Sequence, residues 1–131
     1  MEREIVNPWT WQDNFGYVQG NLVSGAERVL HCAGQTSVDD EGTPINEGDM
    51  TAQIAKALDN LEAVLGQAGM SLADVVRLNF YVTDIDAFFG AAESHGKRFA
   101  EAGCRPASTL LGVSRLALPE LLVEIEATAA A

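Results

Sequence analysis

The chain has 131 residues, 47% hydrophobic and 21% charged, with a mean hydropathy of +0.04, which suits one soluble domain spanning residues 1–131. Eight Lys and Arg against 19 Asp and Glu give a net charge of -11, a surface that repels phosphate backbones and anionic lipid and argues against a nucleic-acid partner. No apolar run approaches the roughly 20 residues of a membrane span, and the acidic start Met1-Glu2-Arg3-Glu4 is unlike the basic head of an export signal, so a cytoplasmic protein is expected.

Strands are expected at residues 5–6, 17–23 and 28–35, with Ser24-Gly25-Ala26-Glu27 turning the chain between the second and third. Within this stretch Gly16 precedes Tyr17, and Gly34-Gln35 ends a strand where bare backbone can approach a ligand or form a bulge. Trp9 and Trp11 either wall a cleft or anchor the terminus, and the second reading is preferred. The acidic loop 38–48 lacks the ligand spacing of a calcium loop, so a solvated turn is expected. Cys32, Cys104, His31 and His95 form no Cys-x-x-Cys or paired-His arrangement, which leaves no metal or redox centre to predict.

Residues 50–68 carry Ile54, Leu58, Leu61, Leu65 and Ala68 on one helical stripe, with Gln53, Lys56, Asp59, Asn60, Glu62 and Gln67 pointing elsewhere. Asp49 is the expected N-cap and Gly69 the left-handed terminator. In residues 75–82, Val76, Leu78, Phe80 and Val82 should face the core, and Val75, Arg77, Asn79 and Tyr81 the other way. A second helix follows over 85–102, between Asp84 and Gly103, with Ile85, Phe88, Phe89, Ala92 and Phe99 at helical spacing. Strands at 109–113 and 121–128 close the chain, the last setting Glu124 and Glu126 on one face and Val123, Ile125 and Ala127 on the other. The order β-β-β-α-β-α-β-β predicts an α+β fold whose helices cover one face of a mixed sheet. The open face, with Val75, Tyr81, Leu122 and Leu110, then predicts a homo-oligomer.

Nucleophilic hydrolase and phosphate-loop motifs are absent. A carboxylate such as Glu124 can carry a proton when set among apolar neighbours, although on spacing alone a salt-bridged or solvent-facing Glu is the more frequent case. Several segments in fixed order carry a resemblance: Gly16-Tyr17-Val18-Gln19-Gly20, Ala33-Gly34-Gln35, the stretch 53–65 with Ala57-Leu58-Asp59-Asn60-Leu61, Ser71-Leu72-Ala73-Asp74-Val75-Val76, and Val123-Glu124-Ile125-Glu126-Ala127. Over residues 15–128 the chain resembles the YjgF/RidA family.

That resemblance implies a chorismate-mutase-like fold of six strands with two helices on one face. It also implies a homotrimer with ligand clefts between subunits and hydrolysis of enamines and imines such as 2-aminoacrylate without a cofactor. Tyr17, Gly34 and Glu124 match the family pattern, with Glu124 aligned to the residue that positions water or moves protons. Three positions depart from it. Ala33 replaces a serine, Ala92 an asparagine, and Ser108, after Pro106-Ala107, the arginine that pairs with a substrate carboxylate. Arg115 belongs to the pattern already, and Arg105 is better read as structural than as a substitute. A serine hydroxyl offers one neutral donor where guanidinium offers two charge-assisted ones, a loss on the order of 2 kcal/mol. The expectation is a RidA-like enzyme that is not an efficient 2-aminoacrylate deaminase, with a noncatalytic metabolite- or protein-binding trimer as the alternative and ribonuclease activity last.

Overall fold

A computed structural model describes residues 1–131 as α+β, with strands in the expected order and the second of the two expected helices divided. The first strand, β1 (Glu2–Val6), pairs antiparallel with β2 (Gly20–Ser24) in a sheet of their own. The other four strands form the main sheet in the order β3 (Val29–His31), β6 (Val123–Ala130), β4 (Val75–Val82), β5 (Ala107–Gly112). Only β4 and β5 are parallel, so this sheet is mixed. The single six-stranded sheet expected above is therefore divided into two and four. Gly25 does turn the chain, with φ +68°, but β2 and β3 lie in different sheets.

Helix α1 (Met50–Gln67) starts where expected: the Asp49 carboxylate accepts from the Ala52 N–H at 3.0 Å. It ends at Ala68 and the left-handed Gly69 (φ +72°), where Arg28 donates to the Ala68 carbonyl that the helix end leaves free. Its buried stripe, Ile54, Ala57, Leu58, Leu61 and Leu65, packs on Leu78, Phe80, Val123 and Ile125 to form the core. Gln53 departs from its expected outward position. It is fully buried, and its amide donates to the Asn46 and Glu120 carbonyls (3.2 and 2.9 Å) and accepts from the Leu122 N–H (2.8 Å). A polar side chain survives there because all its groups are paired.

The second helix is two. After α2 (Ile85–Gly90) the backbone breaks at Ala91 and restarts as α3 (Ala92–Ala102). Gly90 sits at this break, and glycine is a poor residue for a helix interior. The break turns Phe89 out to solvent, contrary to its expected place on the apolar side, while Phe88 and Phe99 stay buried around His95. Arg98 ties α3 to α1 through Asp59 and Glu62 at 2.7 and 2.6 Å.

Strand β4 carries a second correction. The register with β6 slips between Val75 and Arg77, a bulge that puts Val75 in the core and leaves Val76 half-buried, the reverse of strict alternation. Arg3 and Asn21 exploit the distortion. Arg3 donates to the Val75 carbonyl (3.2 Å) and Asn21 to that of Val76 (2.8 Å), and both also reach the Arg105 carbonyl, so the β1–β2 hairpin is clamped to the end of the main sheet. Arg105 thus contributes its backbone to a structural joint.

The open face is also less apolar than expected. Val75 is in the core, Leu110 is in register with core-facing Phe80, and Leu122 packs against the core, so of the four residues named only Tyr81 remains outside. Arg77, Asn79, Glu124, Glu126, Thr128 and Thr109 occupy that face with it, and so do the exposed Leu111, in register with Tyr81, and Val29, in register with Ala130. The outer face is thus mixed, with Tyr81, Leu111 and Val29 as apolar members among polar side chains.

Candidate functional site

The last strand and the segment after β3 build the first part of the site together. Between the pairs His31–Thr128 and Gln35–Ile125 the register advances by one residue, so the chain bulges at Ala33-Gly34. On both sides the ladder holds: Cys32 N–H donates to the Ala127 carbonyl at 2.9 Å, and Gln35 and Ile125 exchange bonds of 2.7 and 2.9 Å. The bulge brings bare backbone beneath the Glu124 side chain. A β-carbon on Gly34 would lie 2.0 Å from Glu124 Oε1, so only glycine leaves room for the carboxylate. Beyond Gln35, Asn60 of α1 fixes the following loop by donating to the Thr36 and Val38 carbonyls, and the Asp39 carboxylate accepts from Glu41 and Thr43 N–H to shape the acidic turn.

Gly34 and Glu124 line a cleft of about 300 Å³ with Tyr81, Val113, Arg115, Leu116 and Glu126. A ligand of a few heavy atoms fits such a volume. The crevice between α1 and α3 holds only about 20 Å³, room for a single water.

Two carboxylates share this cleft in different settings. Glu126 accepts hydrogen bonds from the Tyr81 hydroxyl and from Asn79 Nδ2. The Tyr81 bond above all, then Asn79, holds the Glu126 carboxyl below its usual range, and the same bond pushes the Tyr81 phenol up. Glu126 is therefore a fixed anion at neutral pH. Glu124 pairs with Tyr81 in register, yet its carboxylate makes no protein hydrogen bond, which leaves it available to water or ligand. Asn79, Tyr81 and the cleft-lining Val113, Arg115 and Leu116 were not singled out by sequence as site residues. The alternation of β4 displayed Asn79 and Tyr81 on one face, but not that β6 would be the neighbour.

The other expected residues lie elsewhere. Val18 bridges to Ala107 beside β5, with its N–H on the Pro106 carbonyl at 3.0 Å, which brings Tyr17 to the Pro106-Ala107-Ser108 segment. Ser108 is in register with Leu78 and so leaves the sheet on the helix-covered side, opposite to Glu124. Between Gln35 and Val18 stand β6, β4 and β5, four strand spacings or about 19 Å. Ala92, half-buried at the start of α3, is likewise absent from the Glu124 cleft. One chain thus carries two groups of residues, Gly34 with Glu124 and Tyr17 with Ser108, that cannot line a single pocket. Arg105 is exposed and does not line the Glu124 cleft.

Around Tyr17 the rings form a trio. Trp9 stacks on Trp11 (6.5 Å between centroids, 26° between planes), and Trp11 meets Tyr17 edge-on at 6.3 Å. His95 and Cys104 are buried as packing residues, Cys32 is half-buried and His31 exposed.

This layout is shared with known proteins. The endoribonuclease L-PSP family model matches residues 13–131. YyfB, a Rid-family protein of Yersinia pestis, superposes with a TM-score of 0.88 at 39% identity over 100% of both chains. A RutC family protein of Pyrococcus abyssi is 37% identical over 100 residues, 76% of each chain. The 2-iminobutanoate/2-iminopropanoate deaminase of Salmonella typhimurium is 32% identical over 114 residues, 86% of this chain and 85% of its own. The fold is chorismate-mutase-like, and the chain belongs to the YjgF/RidA family, also described as endoribonuclease L-PSP. No helix is long and apolar enough to cross a membrane.

Proposed function

We propose that the protein hydrolyses imines or enamines that are not anchored by a carboxylate. The observation that carries this reading is the free Glu124 carboxylate seated on Gly34 at a ligand-sized cleft. In the reaction, water oxygen bonds to the imine carbon while Glu124 accepts one water proton and passes it to nitrogen; the hydroxyl of the resulting carbinolamine then gives its proton to nitrogen, again through Glu124, as the carbon–nitrogen bond breaks to leave a carbonyl compound and ammonia. An enamine first takes a proton on carbon to become the imine. Neither sequence needs an oxidant, a reductant or a cofactor. Proton transfer by a positioned carboxylate contributes about 100-fold or more. The similarity to a 2-iminobutanoate/2-iminopropanoate deaminase supports the chemistry.

The substrate preference follows from Ser108. With serine in the family's arginine position, nothing there forms a paired charge-assisted contact with an acid group, so 2-aminoacrylate is a poor substrate. We further propose a homotrimer whose clefts bring Ala33, Gly34 and Glu124 of one copy to Tyr17, Ala92 and Ser108 of another. The separation of the two groups within one chain supports that assembly. A cytoplasmic setting fits the two unpaired cysteines, and the acidic surface opposes nucleic-acid binding and ribonuclease action.

The test is ammonia release from imines generated in place by an amine oxidase or an amino-acid oxidase. Acceleration that disappears in Glu124→Ala supports the proposal; acceleration that survives it removes Glu124 from the mechanism. The replacement of both the arginine and the asparagine, by Ser108 and Ala92, favours a second reading, a noncatalytic binding trimer. Metabolite-dependent thermal stabilisation without turnover would establish that role instead.

A further inference from the structure

The Trp9–Trp11–Tyr17 trio is a built surface. Trp9 and Trp11 are 57% and 58% exposed, yet the segment carrying them is pinned from beneath by Gln12, which is fully buried. Gln12 Nε2 donates to the Trp9 carbonyl at 2.8 Å, Gln19 Nε2 donates to Gln12 Oε1 at 3.1 Å, and the Gln19 N–H reaches Asn7 Oδ1 at 2.8 Å. Two large rings are thus held in place towards solvent, next to Tyr17 and beside the segment where the arginine is missing. Large exposed apolar groups in a rigid setting mark a contact site.

We propose that this trio walls the completed cleft and that the cleft selects a compact organic cation without a carboxylate, such as a protonated imine or the corresponding ammonium. Ring faces attract cations. Across the cleft the charges are Glu124 and Glu126 against Arg115, an excess of one negative. Arg115 itself is exposed and its Nε donates to the Leu116 carbonyl, while Arg77 on the same sheet face is turned to Thr109. An acid group on the ligand would meet two carboxylates and, at Ser108, one neutral hydroxyl. This inference rests on the reading that Tyr17 of one copy meets Glu124 of another, and it names the substrate class of that site.

Both tryptophans of the chain are in the trio, so their emission reports directly on its occupancy. Full-length protein is titrated with pyrrolidinium chloride, with proline as the carboxylated match and cyclopentanone as the neutral one. Pyrrolidinium is expected to saturate with a Kd about tenfold or more below either comparison ligand. Trp11→Leu should weaken it about fivefold or more, with Trp9 still reporting, while Trp11→Phe retains most of the affinity. Light scattering on the same variants should show an unchanged assembly. Proline binding as tightly as pyrrolidinium, unchanged affinity in Trp11→Leu, or a Trp11→Leu protein that falls apart into single chains each overturns the inference. Hydrolysis that continues under those results leaves the proposed function standing. Conversely, Trp11-dependent pyrrolidinium binding with no imine turnover sinks the hydrolase reading and keeps this one.

Discussion

Oε1 of Glu124 occupies the space that a β-carbon on Gly34 would need. The hypothetical contact is 2.0 Å, and Cδ and Cγ of the same side chain lie at 2.7 and 2.8 Å, so the whole carboxyl group must move if residue 34 gains a methyl. Gly34 is not among the left-handed glycines, so its backbone suits alanine. The cost therefore falls on the position of Glu124. Gly34→Ala should lose about 1 kcal/mol of stability in urea unfolding and most of its imine turnover, approaching the level of Glu124→Ala. Retention of full turnover would show that the seat is not needed.

The hydrogen bond from Tyr81 to Glu126 predicts a pH signature. A carboxyl held below its usual 4.5 binds a proton less readily when folded, so its contribution is complete above that value and disappears as pH falls through the folded one. The Tyr81 phenol, raised above 10.0, contributes fully below that value and loses its effect as pH rises through its folded one. Tyr81→Phe should be less stable than the parent by about 1 kcal/mol at neutral pH, after allowance for solvent screening. That difference should be flat through neutrality and narrow at both extremes of pH. Denaturant midpoints measured across the range check it.

Gln53 makes a prediction about the fold. Gln53→Leu strips partners from the Leu122 N–H and from the Asn46 and Glu120 carbonyls at the entrance to β6. The expected loss is about 3 kcal/mol, or a fall in Tm of about 10 °C. Asn60→Ala, at a half-buried site, should cost about 1 kcal/mol and loosen the loop after Gln35. Hydrogen exchange of residues 36–45 measures that loosening.

Thiol labelling separates the two cysteines. Burial pushes the Cys104 thiol up to about 12, and the side chain is 2% exposed. At pH 8 it is neutral and sheltered, so a disulfide reagent should modify at most Cys32 in the folded protein and both thiols after denaturation. Rapid reaction of two thiols in the native state would contradict the buried packing of Cys104.

The apolar periodicities were legible where burial imposed them. The α1 stripe, the Asp49 cap, the helix boundaries at Asp84 and Gly103 and the alternation of 123–128 all have structural counterparts. Alternation failed at Val75-Val76, where two neighbouring valines give no sign of the bulge that exchanges their sides. Strand β1 escaped except for its last two residues because it is almost wholly exposed, and burial leaves no period to detect. Gly34, Glu124, Tyr17 and Ser108 could each be chosen from sequence. Their grouping could not, because it depends on which strands become neighbours and on a one-residue bulge at Ala33-Gly34. Gln53 defeated the helix reading for a different reason: its partners come from segments before and after α1.

The role of Ser108 is read from kcat/KM for a carboxylate-free imine and for 2-iminopropanoate on the unmodified protein. A loss of about 2 kcal/mol of carboxylate binding corresponds to about 30-fold, so the carboxylate-free imine should be hydrolysed faster by at least that order, with Ser108→Arg reversing the preference. Faster turnover of 2-iminopropanoate by the unmodified protein would show that Ser108 does not exclude acid-bearing substrates.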